Sequence, residues 1–332
     1  MGKGTAERRW KRLPATKRMG FLSEFLRPTR WYSKILVVLL ALAFFWVIAV
    51  GALSGILLYR VVSPVPSRSQ LDFSDFPGHP EEVTYQVPGE GSRKGWFFPG
   101  LREAPTILLC PGYQTGRGQL LTLATALQDQ QFNVFLFDFS AGSSSTQTST
   151  LGYREVLELR AAVDAVAQRN DVDPGRFGLW GTNVGAYAAL GEAEGDRRVA
   201  AIAVESVYDT PQQELDLLAS HSGLTAVPLV KRGTEIGFEW MARPYRDTPP
   251  LSARLSRLAG EPKLFIEAMD EPVLAEETRR LYSLSPLPHD QVGLPRGNYA
   301  GMLDDEKRSY ENRIVSFFLL NLPPTATGRP RR

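Results

Sequence analysis

The stretch with the clearest chemical outline is Gly178-Leu179-Trp180-Gly181-Thr182-Asn183-Val184-Gly185-Ala186-Tyr187. An apolar run leads into a tight turn with glycines on both sides, and a run of small residues follows. This is the pattern of a nucleophile elbow, a strained strand-to-helix turn that holds one side chain exposed at the top of a sheet. Glycines flank such a turn because any side chain there meets the turn itself or the neighbouring strand. The apex residue is Asn183, not Ser, Cys or Asp. A carboxamide nitrogen has its lone pair delocalised into the carbonyl, so Asn183 is a very poor nucleophile. The stretch therefore says more about fold than about reaction.

Such a turn needs a sheet to stand on, and the pattern on either side supplies one. Residues 82–87 and 95–98 read as two strands around the turn Pro88-Gly89-Glu90-Gly91. Residues 106–110, 133–139, 176–180, 200–204 and 264–268 are short apolar runs bounded by turn residues. Helical spacing recurs at 120–127, 154–168 and 306–320, the second with Val156, Leu159, Val163 and Val166 on one face. Short buried strands alternating with helices predict a mostly parallel central sheet with helices on both faces. The segment 210–250 interrupts the alternation and is long for a plain connection. It is expected to be a helical cap over the C-terminal sheet edge, where ligands bind in such folds.

The 332 residues allow one large domain or two small ones, and 43% hydrophobic content permits a sizeable core. A formal net charge of +2 conceals an asymmetry. Residues 1–34 hold ten basic and two acidic residues, leaving 28 basic and 34 acidic residues beyond them, a balance of −6. A mildly acidic globular part argues against nucleic acid as a partner. Residues 35–59, ILVVLLALAFFWVIAVGALSGILLY, carry no charge and are long enough to cross a bilayer. Trp31, Tyr32 and Tyr59 stand at the ends, where amphipathic rings favour the headgroup layer. A cleaved signal peptide is the alternative, but its apolar core would be shorter.

The basic flank predicts a single-pass protein of the inner membrane. Its tail 1–34 is expected in the cytoplasm and its large domain in the periplasm. Residues 60–80, rich in Pro and Ser, are expected to be a tether, 81–322 the folded domain, and 323–332 a disordered tail. Gly51 and Gly55 form a GxxxG that would suit a homodimer. The lone Cys110 excludes an internal disulfide.

Taken in order, these pieces resemble the α/β-hydrolase fold superfamily, and are similar to membrane-anchored bacterial members related to prolyl-oligopeptidase-type hydrolases and small esterases. The resemblance covers roughly residues 82–320. Leu108-Leu109-Cys110-Pro111-Gly112-Tyr113 looks like the strand and turn that usually read His-Gly. Phe137-Asp138-Phe139-Ser140-Ala141-Gly142-Ser143-Ser144 looks like the family's D-x-R-G-x-G-x-S loop, departing from it at Phe139 and Ser140. Gly152 and Glu155 match its G-x-x-E, and Asp173-Pro174-Gly175-Arg176-Phe177-Gly178 matches the lead-in to the elbow.

The family triad runs Ser, Asp/Glu, His in chain order. The resemblance puts Asn183 at the first position and Asp270 at the second. Asn298 falls at the third, with Tyr299 as the alternative shifted by one residue. Neither can take and return a proton near neutral pH as imidazole does. The triad is therefore expected to be degenerate. The backbone N–H groups of Tyr113 and Val184 are expected to form an oxyanion hole, which does not depend on side-chain identity. No metal or cofactor is implied.

Other groups have ordinary explanations. His79 lies in the tether, His289 precedes the final strand at the wrong end of the sheet, and His221 lies in the cap. Cys110 reads as a small buried thiol, and Ser143–Ser145 as a flexible loop. The expected function is binding of an unidentified small-molecule or protein ligand in a capped pocket that keeps a hydrolase scaffold. An active hydrolase using displaced groups such as His221 or Cys110 is the rival expectation.

Overall fold

The computed structural model describes residues 31–63, 80–142, 147–297 and 299–324. Most of the basic tail, most of the tether, Ser143–Ser145, Asn298 and the chain from 325 lie outside the described residues. The chain divides into two units, Met1–Ala52 and Leu53–Arg332. Helix α1 (Trp31–Val62) contains all the described residues of the first unit, where Phe44, Trp46 and Ile48 are exposed. Lys34–Val62 is long and apolar enough to cross a membrane.

In the second unit, the last turns of α1 bury Ser54, Leu57, Val61 and Val62. Spaced i, i+3, i+7 and i+8, these four share one helical face. The helix thus runs past its expected end at 59. Val61 and Val62 are buried helix rather than extended tether, because the domain offers that face a surface to pack on.

An eight-stranded sheet forms the centre of this unit, in the order β1-β2-β4-β3-β5-β6-β7-β8. Strands β1 (Glu81–Val87) and β2 (Gly91–Phe98) form an antiparallel hairpin, and β2 runs antiparallel to β4 (Asn133–Phe137). The others, β3 (Thr106–Cys110), β5 (Phe177–Thr182), β6 (Val199–Glu205), β7 (Lys263–Ala268) and β8 (His289–Leu294), extend a parallel ladder from β4. Strands β3, β4 and β7 are buried along their whole length, while edge strand β8 is half exposed. That difference explains why the inner strands read as unbroken apolar runs.

Side chains alternate between two cores, as a period of two requires. Leu108, Phe135 and Leu179 meet α3 (Tyr153–Ala167) and α4 (Val184–Ala193) on one face. Ile107, Leu109 and Leu136 meet α2 (Leu121–Asp129) and α8 (Asp304–Asn321) on the other. The interruption between β6 and β7 contains α5 (Pro211–Ser220) and α6 (Pro228–Met241), and α7 (Pro272–Leu284) follows β7. A capping box starts α5: Thr210 Oγ1 accepts from Gln213 N at 3.4 Å, and Gln213 Oε1 accepts from Thr210 N at 3.2 Å. Because that box fixes where α5 begins, it also fixes Glu214 in the first turn.

Candidate active site

The elbow is formed where β5 passes into α4. Asn183 has φ 51° and ψ −114°, a strained conformation that Asn tolerates better than most residues. Backbone packing enforces the turn. A Cβ on Gly181 would lie 2.4 Å from Gly185 O, and one on Gly185 would lie 2.2 Å from Cys110 O. The Asn183 N–H donates to Glu205 O at 2.9 Å, tying the apex to the end of β6.

The carboxamide of Asn183 is engaged at both ends. Its Oδ1 accepts from Val184 N at 2.9 Å, and its Nδ2 donates to Glu214 Oε1 at 2.9 Å. The Val184 N–H can only donate, so the amide oxygen must face it and the NH2 must face the cap. The N–H expected as an oxyanion donor is therefore taken by the residue at the nucleophile position.

Glu214 is 1% exposed, and its second oxygen, Oε2, has no hydrogen-bond partner among the described residues. Burial pushes its carboxyl up to about 7, the hydrogen bond from Asn183 acts in the opposite direction, and the nearby Glu271 charge adds to the rise. A cavity of about 450 Å³ opens beside this pair. Its lining includes Gly112, Tyr113, Asn183, Glu205, Glu214 and Glu271, together with His221 from the cap. Three of the lining residues are carboxylates, and among the described lining residues none is Lys or Arg.

Glu205, the last residue of β6, is buried. Its Oε2 accepts from Tyr310 OH, which in turn accepts from Trp180 Nε1 at 3.1 Å. This chain joins the floor of the cavity to α8. Neither Glu205 nor Glu214 belongs to the motifs that mark the site in the sequence. A carboxylate at the C-terminal end of a buried strand is a signal that could have found Glu205. No local pattern distinguishes Glu214 from any other acidic residue in a first helical turn.

The loop after β7 behaves differently. Asp270 is exposed, and its Oδ1 accepts from Gly297 N at 2.7 Å. The carboxylate at the acid position thus holds the backbone that leads to Asn298, which lies outside the described residues. Tyr299 is buried and turned away from the cavity: its OH donates to Glu311 Oε1 and shares a hydrogen bond with Thr122 Oγ1. It packs against Trp180 and Tyr310, so it does not replace a histidine at the site. The Tyr113 side chain is also committed elsewhere, its OH donating to Val61 O at 2.7 Å.

Of the remaining candidates, Cys110 is wholly buried, and burial pushes its thiol far above the usual range, which leaves it inert. His289 stands at the start of β8, packed on Tyr282 at the opposite end of the parallel strands from the elbow. His79 lies outside the described residues. Among the described residues no group of His, Cys, Asp and Glu has metal-binding geometry.

No family model matches the chain. It is 23% identical to the uncharacterized protein YfhR of Escherichia coli K12 over 258 residues, covering 75% of this chain and 84% of that one. It is also 23% identical to the polyketide transferase ATR5 of Stachybotrys chlorohalonatus over 195 residues, 58% of this chain and 57% of the transferase. Among solved structures, the Pyrococcus furiosus esterase Pf2001 superposes with a TM-score of 0.59 at 14% identity, covering 80% of this chain and 98% of the esterase. A likeness at that identity speaks for the fold. Strand order, elbow and superposition agree, and this chain is an α/β-hydrolase-fold protein.

Proposed function

We propose that the protein is a membrane-anchored α/β-hydrolase-fold protein that works by binding a ligand in its capped cavity, without conventional serine-hydrolase catalysis. One observation carries this: the Asn183 carboxamide occupies the elbow and also takes the Val184 N–H with its own oxygen. Nucleophile and oxyanion donor are lost together, because the group that replaces the first neutralises the second. A carboxylate ligand would meet the like charges of Glu205, Glu214 and Glu271 in this lining. The lining favours a ligand rich in hydrogen-bond donors or positive charge.

A fluorophosphonate probe and a broad ester panel on the detergent-solubilised full chain test the proposal. Serine labelling or turnover well above buffer would sink it. Asn183→Ser together with Asn298→His frees the Val184 N–H and supplies nucleophile and base at once. Weak esterase activity is expected only in the double mutant, since neither group works alone. Equal activity in the two single mutants would show that the triad positions are misassigned.

A second possibility has one observation behind it. Glu214, with a carboxyl near neutrality and a free Oε2, has the properties of a displaced general base. Ester turnover that rises through pH 7 and disappears in Glu214→Gln would favour it over binding alone.

The basic residues before Ile35 favour a cytoplasmic N-terminus and a periplasmic domain. Protease added to spheroplasts should then digest the domain. Protection until the inner membrane is opened would reverse the orientation.

A further inference from the structure

Helix α6 carries two faces side by side, placed by a turn of about 100° per residue. One face holds Val230, Gly233, Thr234 and Gly237 and packs on the last turns of α1. Val230 O accepts from Ser54 Oγ at 3.0 Å, and Thr234 Oγ1, which donates to Val230 O at 2.9 Å, lies 3.4 Å from Ser54 O. A Cβ on Gly233 would lie 2.3 Å from Ser54 Oγ, and one on Gly237 would lie 2.8 Å from Leu58 Cδ2. The small-xxx-small spacing that lets two helices approach is thus used by Gly233 and Gly237 of the cap. The second face, next to this seam, is a stripe of Leu229, Ile236 and Trp240, exposed by 50%, 52% and 77%. Lys231, Arg232, Glu235 and Glu239 lie on the far side and pair among themselves or with α5.

The length of α1 says what covers the stripe. Its apolar span of 29 residues, Lys34–Val62, is about 43 Å long, against a hydrocarbon core of about 30 Å. About 20 residues suffice to cross, so roughly nine are left over. The domain buries a face of α1 from Ser54 to Val62, which is that remainder. The bilayer surface therefore falls near Ser54, the residue that touches Val230 and Gly233.

We infer that α6 lies on the phospholipid bilayer from which α1 emerges, with Leu229, Ile236 and Trp240 in the boundary between headgroups and acyl chains. Tryptophan and aliphatic side chains beside a charged face are the composition of an interfacial helix. Leu217 and His221 of the same cap line the cavity, and Tyr113 of its lining bonds to Val61 O of α1. The inference rests on α1 being a membrane span.

The test uses the full chain in phosphatidylcholine/phosphatidylglycerol nanodiscs. An environment-sensitive fluorophore is placed at Trp240→Cys, with Ile48→Cys as the span control and Asp290→Cys on β8 as the aqueous control. Buried Cys110 stays unlabelled. At Trp240→Cys, quenching by a nitroxide near the lipid headgroup should exceed quenching by an aqueous nitroxide by about twofold or more, as for interfacial side chains. At Asp290→Cys the order should reverse. If Trp240→Cys behaves like Asp290→Cys while Ile48→Cys is quenched from the lipid, the inference fails and the span stands. Protection of Trp240→Cys from both quenchers would mean that protein covers the stripe, and this also overturns the inference. Aqueous quenching of Ile48→Cys would remove the span and the inference together.

Discussion

The elbow and the cap each contribute one partner to the Asn183–Glu214 hydrogen bond, and they hold those partners in different ways. Asn183 is positioned by backbone: Gly181 and Gly185 pack so closely on neighbouring backbone that neither leaves room for a Cβ. Glu214 is positioned by the start of a helix that another region lays over the sheet, and its carboxyl has been taken out of water. The elbow geometry is thus set by close backbone packing at its glycines, whereas the cap contact brings in a carboxyl whose pKa burial raises.

The largest effect should come from breaking the backbone side. Gly185→Val forces a branched side chain against Cys110 O and Pro111 O, where even a Cβ sits at 2.2 and 2.7 Å. We expect a loss of at least about 3 kcal/mol, read as a failure to fold or a steep fall in urea midpoint. A variant with wild-type stability would mean that packing does not lock the elbow.

The cap side should respond to pH. The folded-state pKa of Glu214 is raised to about 7 from an ordinary 4.5. Below about pH 4.5 both folded and unfolded chains hold the proton; between there and about 7 only the folded chain does. Its contribution is therefore fully present in acid and is lost as pH rises through about 7. The loss is about 3 kcal/mol over that window. Glu214→Gln should remove this dependence, so urea-unfolding stabilities of the two proteins should diverge in favour of the variant up to about pH 7 and then run parallel. A difference that stays constant with pH would show that Glu214 titrates normally.

The smallest effect belongs to the acid loop. Asp270→Ala removes the acceptor for Gly297 N at an exposed position, and about 1 kcal/mol of stability should go with it. Because Asp270 does not bond to Asn183 or Glu214, the pH dependence assigned to Glu214 should be unchanged in the variant. A shift in that dependence would show that the loop and the cap are coupled.

The strands around the elbow were legible because burial on both faces leaves an apolar run in the sequence, as at Thr106–Cys110 and Asn133–Phe137. Edge strand His289–Leu294 is polar and half exposed and leaves a weaker trace. The turn at Asn183 was legible through its glycines, which are a local steric requirement. Tyr299, adjacent to the histidine position, is buried away from the cavity. The Tyr299 ring packs in the core beside Trp180, a placement no local pattern announces.

The sequence alone determined the buried inner strands, the helices of clearest period, the elbow, the identity of the residue at its apex and an apolar run long enough for a bilayer. All of these follow from short-range rules: strand and helix periods, the space around a Cβ, and the number of residues needed to span a given thickness. The tertiary structure decided which groups meet across the chain. Glu214 reaches Asn183 from 31 residues away, Tyr310 reaches Glu205 from 105 away, and Ser54 bonds to Val230 from 176 away. Such pairs leave no spacing rule in the sequence, because they depend on how helices pack over a sheet rather than on the chain that connects them.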